Sequence, residues 1–161
     1  MRSPALLPIT LAGLLISLPV VEAHQQQGSQ PVTPPGEQRS APADAPSGTS
    51  GVSVMPLGTL DLSGEFNGLR GRVLRTRRIT IAPGGSVAWH EHDQRPGVAY
   101  LVNGALIEIR DDGSGPRSIQ RHAGDAVFES SGVLHGWRNR SAQPVTAVVI
   151  DIVPAPGAFP P

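Results

Sequence analysis

The sequence predicts an all-β domain over residues 53–154, arranged as an antiparallel sandwich or barrel. About eight short apolar runs follow one another at roughly ten-residue spacing in this region. Gly, Pro, Asn and Asp residues separate the runs, and no run shows a helical period of any length. The chain contains 19 Gly and 17 Pro residues, which agrees with short strands joined by many turns.

The turn residues set the expected strand boundaries. We expect strands at residues 73–81, 86–92, 98–102, 105–110, 117–120, 126–129, 133–139 and 145–153. Asn103-Gly104 lies between two apolar runs and predicts a β-hairpin with a type I′ turn. A basic run near the start of the domain is interpreted as an edge strand kept soluble by charge, rather than as a face for an acidic partner or an anionic lipid. This run consists of Arg70, Arg72, Arg75, Arg77 and Arg78.

The composition excludes several functions. The chain of 161 residues has no cysteine, which excludes disulfides, zinc–thiolate sites and thiol nucleophiles. All 13 basic residues are arginine, so a lysine Schiff base is excluded as well. The formal net charge is zero, whereas proteins that bind nucleic acid or anionic membranes generally carry a basic excess. We therefore expect a small-molecule ligand and no nucleic acid.

Residues 1–23 are predicted to form a secretory signal peptide. Arg2 supplies the positive start, residues 5–20 are nearly all apolar, and Ala23 is the small residue at the end of a cleavage site. A retained membrane anchor is the alternative. Pro8 and Pro19 bracket the apolar run, however, and leave it short of the roughly 20 residues that a spanning helix needs. The chain is therefore expected to be exported to the periplasm or the medium, without stable membrane insertion.

Residues 24–52 are predicted to be a disordered linker, and residues 155–161 a C-terminal tail. The linker is rich in Gln, Pro, Ser, Gly and Ala and has almost no large apolar side chain to offset its ordering entropy. Cleavage after Ala23 would make His24 the first residue, and its α-amine and imidazole together would chelate copper. The simpler interpretation is that cleavage falls there without chemical consequence.

Three histidines are the candidate metal ligands. His90 and His92 are two residues apart in a predicted strand, so their side chains project to the same face with Cβ atoms about 6–7 Å apart. His135 comes from a later strand and could supply a third imidazole to one divalent ion. A His-x-His pair on its own is often only polar surface. His122 adjoins the Gly124-Asp125 turn and is expected at the surface.

The spacing of these residues resembles the motifs of the cupin superfamily. The first cupin motif runs Gly, five residues, His-x-His, three or four residues, Glu, six residues, Gly. Its counterparts here are Gly84, His90, His92 and Gly104. The second motif runs Gly, five residues, Pro-x-Gly, two residues, His, three residues, Asn. Its counterparts are Gly124, Gly132, His135 and Asn139, with Ser130 in place of the proline. The resemblance implies a double-stranded β-helix, the jelly-roll barrel of cupins, and a frequent tendency to form homodimers.

The sequence departs from the cupin pattern at one ligand. The Glu of the first motif should fall at Pro96 or Gly97, neither of which can bind a metal through its side chain. The resemblance then implies three imidazole ligands, as in some cupin dioxygenases. Glu129 is the first candidate for a fourth ligand, with a solvent-facing position as the alternative. The weaker candidates are Glu91 and Gln94.

Aromatic and basic residues near the motifs are candidates for a substrate pocket. If the strands pair in register, Tyr100 shares the face of His90, and Trp137 shares the face of His135. Trp89 lies on the other face, and Phe128 is expected to fill the core. Arg95 stands in the loop where the Glu was expected. It is a candidate for orienting a carboxylate, or else a solvated loop residue.

Two main functions follow from these predictions. The first is an exported metal-dependent oxygenase, or a related enzyme, acting on a small organic acid, enol or phenol, with Tyr100 and Arg95 as candidate catalytic or orienting residues. The second is a non-enzymatic module that binds a metal or a small ligand. A structural barrel with a vestigial site is a third alternative. Imidazole ligands do not identify the metal, which could be Fe, Ni, Cu, Zn, Mn or Co.

Overall fold

The structure is a computed structural model that describes residues 39–157 of the chain. Within this range every regular element is a β-strand, so the all-β prediction is confirmed. The strands are β1 (Ser50–Asp61), β2 (Arg72–Glu91), β3 (Gly97–Asn103), β4 (Ala105–Asp111), β5 (Arg117–His122), β6 (Ala126–Glu129), β7 (Leu134–Arg138) and β8 (Val145–Pro154).

The strands form one antiparallel sheet that curls into a half-barrel. Its order is β5-β4-β7-β2-β8-β3-β6, and β1 pairs with β2. The long strand β2 belongs to both halves, because residues 72–81 pair with β8 whereas residues 86–91 pair with β7. The two strands expected at 73–81 and 86–92 are therefore one strand. Gly84 and Gly85 form its bend, where a Cβ on Gly85 would lie only 2.9 Å from the Ala82 carbonyl oxygen.

The predicted hairpin at Asn103-Gly104 is wrong. Strand β3 pairs with β6 and β8, whereas β4 pairs with β5 and β7, so the two strands that flank Gly104 are not neighbours. Gly104 has a positive φ of 85° and lies close to Pro144, where a Cβ would be 3.1 Å from the carbonyl oxygen. The turn instead carries the chain from one half of the barrel to the other.

Residues 39–52, expected to be disordered, contact the barrel in the structure. The Pro46 carbonyl oxygen accepts a hydrogen bond from the Trp89 amide at 2.8 Å, and the Gly48 carbonyl accepts one from the Ser86 hydroxyl at 2.8 Å. Strand β1 then pairs along β2, with Val52 opposite Ile81. The sequence signal overlooked here is the short alternation of valine and serine that ends at Val54. The remainder of the linker, the signal peptide, His24 and residues 158–161 lie outside the described residues.

The core is a compact apolar cluster at one end of the half-barrel. Its buried members are Ile81, Ala99, Leu101, Leu106, Val127, Trp137, Val145, Ala147 and Val149. Phe128 is not among them. It is 70% exposed on the outer face of β6, so its expected place in the core is wrong. Asn139 closes this end, because its side-chain amide donates hydrogen bonds to the carbonyl oxygens of Ile81 at 3.0 Å and Gln143 at 2.8 Å.

The arginine-rich run does not lie on an edge strand, contrary to the prediction. Strand β2 lies between β1 and β8, and two of its arginines, Arg75 and Arg77, face the interior, where they contact Asp151. Arg78 points outward and is exposed. No helix among residues 39–157 is long and apolar enough to cross a membrane.

Candidate metal centre

Three histidine side chains meet inside the half-barrel. His90 on β2 is the Cα partner of His135 on β7, and a register shift between Val87 and His90 turns both of these β2 residues toward the interior. The Nε2 atom of His92 lies 2.9 Å from Nε2 of His90 and 2.9 Å from Nε2 of His135. Metal–imidazole bonds are about 2.0–2.1 Å long, so these three residues could hold one ion.

Hydrogen bonds on the outer side of two rings determine their tautomers. His90 Nδ1 lies 2.8 Å from the Ala88 carbonyl oxygen, which can only accept, so Nδ1 carries the proton. His135 Nδ1 donates in the same way to Glu108 Oε1 at 2.8 Å. The Nε2 atoms of both rings therefore direct lone pairs toward His92. Two lone pairs converging in a buried site are well suited to a cation.

Burial keeps two of the rings neutral. Desolvation lowers the pKa of His90 to about 4 and that of His92 to about 3, and the positive charge of Arg95 contributes to both shifts. Neutral imidazole is the form that binds a metal. Both rings are thus in the metal-binding form at pH 7.

Glu108 on β4 supports His135, and the sequence analysis did not identify it. Its buried carboxylate accepts hydrogen bonds from His135 Nδ1, from Arg121 Nε at 2.8 Å and from Arg110 Nη1 at 3.1 Å. Burial by itself would raise the pKa of Glu108, but the hydrogen bonds from His135 and Arg121 lower it to about 2. The carboxylate is therefore ionised and orients the His135 ring. The available signal in the sequence was alternation. Glu108 follows Leu106 by two residues in a predicted strand, so the two side chains share one face of that strand.

Glu129, at the end of β6, is buried beside the histidines and does not face solvent. Its Oε1 atom is 3.6 Å from His135 Nε2, and its Oε2 atom is 3.3 Å from His92 Nδ1. Among the described residues neither His92 Nδ1 nor Glu129 Oε2 has a hydrogen-bond partner. Burial raises the pKa of Glu129, whereas the positive charge of Arg95 opposes the increase. An unpaired buried polar atom costs about 1–3 kcal/mol, and a cation bound by the histidines and Glu129 would offset this cost for the Glu129 carboxylate.

The histidines open into a cavity of about 510 Å³. This is a typical size for a small-molecule pocket. The surface of its wall is mostly apolar. The apolar side chains that line it are Val52, Val54, Ile79, Val87, Ala88, Trp137 and Val149. The other polar side chains in the wall are Thr49, Arg77, Glu91, Arg95 and Glu129.

Comparison with known proteins relates this half-barrel to a known family. The family model described as "Cupin domain" matches residues 77–151, which include all three histidines. The stretch that the model matches, residues 77–151, belongs to the cupin superfamily. A solved structure of a predicted oxalate decarboxylase from Thermotoga maritima matches with 22% identity and a TM-score of 0.50, over 63% of this chain and 80% of that one. At this identity the likeness shows a shared fold alone.

A second solved structure is that of KdgF from a Halomonas species. It matches with 17% identity and a TM-score of 0.49, over 66% of this chain and 81% of that one. A search of curated proteins finds no match to the chain.

The structure explains why this cupin domain lacks the Glu of the first motif. Gly97 lies against β8, and a Cβ there would be 2.7 Å from the Ile150 carbonyl oxygen and 2.9 Å from Asp151 Cβ. No side chain fits at this position without a shift of the backbone. Gly97 is also the Cα partner of Glu129 across the β3–β6 ladder. Glu129 therefore presents its carboxylate directly beside the position that the motif assigns to Glu.

Arg77 and Asp151 are two further residues of the cavity region that the sequence analysis missed. Asp151 is buried, and Arg75 binds it with both Nε, at 3.0 Å, and Nη2, at 2.7 Å. Arg77 Nη2 donates to the same carboxylate at 2.8 Å. The available signal was alternation, because Arg75 and Arg77 continue the inward-facing positions of Ile79 and Ile81 along β2.

Other candidates are distributed on both sides of the cavity wall. Arg95 lines the cavity, as one of its two interpretations required, and Trp137 does so too. Tyr100 is 48% exposed on the outer face of β3, because β3 pairs with β6 and β8 and not with the histidine strand. The placement of Tyr100 beside His90 is therefore wrong. Trp89 does not line the cavity, in agreement with its expected position on the other face.

The weaker ligand candidates lie at the periphery. Glu91 is an exposed residue at the rim of the cavity. The Gln94 side chain points instead to Arg72 Nη2, 3.3 Å away. His122 is exposed, as expected, and its backbone amide donates to the turn residue Asp125.

Proposed function

We propose that this cupin domain binds one divalent metal ion through His90, His92 and His135, with Glu129 as a carboxylate ligand in place of the missing motif Glu. The observation that carries the proposal is the convergence of three imidazole Nε2 atoms, two of which must present lone pairs. The buried, unpartnered Oε2 atom of Glu129 supports it.

The proposed activity is that of a metal-dependent oxygenase, or a related enzyme, on a small organic substrate. A bound dication would polarise a ligand oxygen and acidify a bound water or ligand. The protein contributes the remaining parts. Glu108 holds the His135 ring, the apolar wall limits access of water, and Arg95 lies in position to orient an anionic group beside the histidines.

Metal analysis tests the metal site directly. Protein purified without an affinity tag should contain about one equivalent of metal by mass spectrometry, and His135→Ala should remove it. His122→Ala is the matched control, because His122 is exposed and does not line the cavity. Glu129→Gln should weaken the affinity without abolishing it. Absence of metal in the wild-type protein, after reconstitution with each candidate ion, would exclude the proposal.

A non-enzymatic binding module is the second candidate. The cavity wall contains only two carboxylates among the described residues, exposed Glu91 and the proposed ligand Glu129, so no further carboxylate lines the cavity to act as a general acid or base. Oxygen uptake should be measured with iron-loaded protein over thiols, β-diketones and catechols. Uptake that disappears in His135→Ala supports the enzyme. No uptake with any class, despite full iron loading, favours the binding module.

Export of the protein rests on residues 1–23, which lie outside the described range. We expect protein recovered from the periplasm or the medium to begin at His24, as its intact mass would show. Recovery of only the full-length chain from the cytoplasm would contradict export and would leave the proposed metal site unaffected.

A further inference from the structure

We infer that the cavity selects a small carboxylic acid with an apolar body, and that Arg77 and Arg95 recognise its carboxylate. This inference deepens the proposed function, since it concerns the ligand of the same cavity. Both arginines line the cavity together with the histidines. They approach from different elements, Arg77 from β2 and Arg95 from the loop between β2 and β3.

Among the described residues, Arg77 shares its only ion-pair partner with a second arginine. Asp151 is that partner, but Arg75 binds the same carboxylate through two nitrogens. One buried carboxylate thus faces two guanidinium groups, and Glu129, the buried carboxylate of the cavity wall, forms no ion pair with Arg77. Within residues 39–157, Arg77 donates a side-chain hydrogen bond only from Nη2. The contact with Asp151 also fixes the orientation of the Arg77 guanidinium, which reduces the entropy lost on ligand binding.

Arg95 is held at the cavity by the conformation of its loop. Gln94 is the only non-glycine residue with a positive φ, 52°, in the described part of the chain. Arg72 supports this strained position by donating to the Gln94 carbonyl oxygen at 3.2 Å and to its side-chain oxygen at 3.3 Å. The Arg95 amide donates to the His92 carbonyl oxygen at 3.1 Å, which ties the loop to the histidine site. Within the described residues the Arg95 side chain has no acidic partner within ion-pair distance.

The rest of the wall indicates the remainder of the ligand. Its surface is mostly apolar and includes valine, isoleucine and tryptophan side chains, so a highly polar ligand would leave some of its own groups unpaired there. Guanidinium groups match the planar geometry of a carboxylate. A carboxylic acid with an aliphatic or aromatic body satisfies both the cationic and the apolar parts of the cavity.

A matched pair of probes tests this selectivity. The acid 4-fluorophenylacetate and its amide, 4-fluorophenylacetamide, have nearly the same shape and differ in charge. We expect fluorine NMR titrations of the protein to show the acid binding at least about tenfold more tightly, as one charge-assisted hydrogen bond would produce. Arg77→Gln and Arg95→Gln should each reduce this preference several-fold, and the double variant should abolish it.

Arg78→Gln is the matched control, because Arg78 is the next residue on β2 and points outward. Should Arg77→Gln fail to fold, the loop variant Arg95→Gln still decides the question. Equal binding of acid and amide, no binding of the acid up to its solubility, or an undiminished preference in Arg95→Gln would overturn the inference. Titrations of metal-free and nickel-loaded protein distinguish this inference from the proposed metal site. An arginine-dependent preference in the metal-free protein supports the inference even if no ion binds. Metal binding without an arginine-dependent preference overturns the inference and leaves the metal site unaffected.

Discussion

The inner surface of the half-barrel has two layers that come from the same strands but differ in chemistry. The apolar layer is the buried cluster that includes Ile81 on β2, Leu106 on β4 and Val127 on β6. The charged layer lies further along these strands and those beside them. It contains Arg75, Arg77, Glu108, Glu129, His135 and Asp151. Adjacent inward positions of one strand therefore belong to different layers.

The two layers contribute differently to stability. Burial of apolar surface stabilises the fold by roughly 25 cal/mol per Å². Buried charges must first lose their hydration, and replacing a buried ion pair by apolar residues is often neutral or stabilising. Stability alone therefore does not explain a charged layer inside a small domain. Its arrangement around three histidines is what a metal and an anionic ligand would require.

The largest expected effect comes from removing the carboxylate that links the charged layer to His135. Glu108→Ala leaves Arg121 and Arg110 without their buried partner, so the free energy of unfolding should fall by about 3–5 kcal/mol. Metal affinity should fall roughly 10–100-fold, because the His135 ring loses its orienting acceptor. Urea unfolding and metal titration measure the two effects. The exposed Glu65→Ala serves as control, and unchanged metal affinity in Glu108→Ala would contradict the positioning role.

A change in the apolar layer should affect stability alone. Leu101 on β3 is 0% exposed, and Leu101→Ala should lower the free energy of unfolding by about 2–5 kcal/mol by leaving a cavity. The metal content of the protein that remains folded should equal that of the wild type. Val102→Ala, the next residue but 52% exposed, should change stability by less than about 0.5 kcal/mol. Loss of metal from folded Leu101→Ala would show that the layers are not independent.

A smaller loss of stability is expected at Asn139, at the far end of the apolar layer. Asn139→Ala leaves the carbonyl oxygens of Ile81 and Gln143 without their side-chain donor, which should cost about 1–3 kcal/mol. Thermal unfolding would measure the loss, with the exposed Asn67→Ala as control. Metal affinity should not change, since the contacts of Asn139 lie at the bend of β2 and not beside the histidines. A change in affinity would assign this residue to the metal site as well.

The alternating strands that build both layers could be predicted from the sequence, but most contacts of the charged layer could not. Alternation of side chains and turn residues is local, and it was sufficient to predict an all-β domain and to place His90 and His92 on one face. Strand pairing is not local. The errors at Tyr100 and at the Asn103-Gly104 turn both followed from assuming that neighbouring runs pair with each other.

The charged layer depends still more on distant contacts. Glu108 and His135 are 27 residues apart in the chain, and Arg75 and Asp151 are 76 apart. Nothing in the local sequence joins such pairs, so the arginines resembled a solvated edge. The cupin motifs brought His135 to the other two histidines because motif spacing encodes a long-range contact. Glu129 was identified only as one of two alternatives, since its partner across the ladder, Gly97, was not known.

The smallest expected effect concerns the outer face of the sheet, where Tyr100 and Phe128 are exposed on adjacent strands. Tyr100→Ala and Phe128→Ala should each change the free energy of unfolding by no more than about 0.5 kcal/mol, since little of either side chain is removed from water. Metal affinity and the preference for 4-fluorophenylacetate should stay at wild-type values, because neither residue lines the cavity. Unfolding and titration measurements on these variants would check this. A tenfold fall in either binding constant for Tyr100→Ala would mean that β3 presents its opposite face to the histidines, and the assignment of Ala99 and Leu101 to the interior would then be wrong as well.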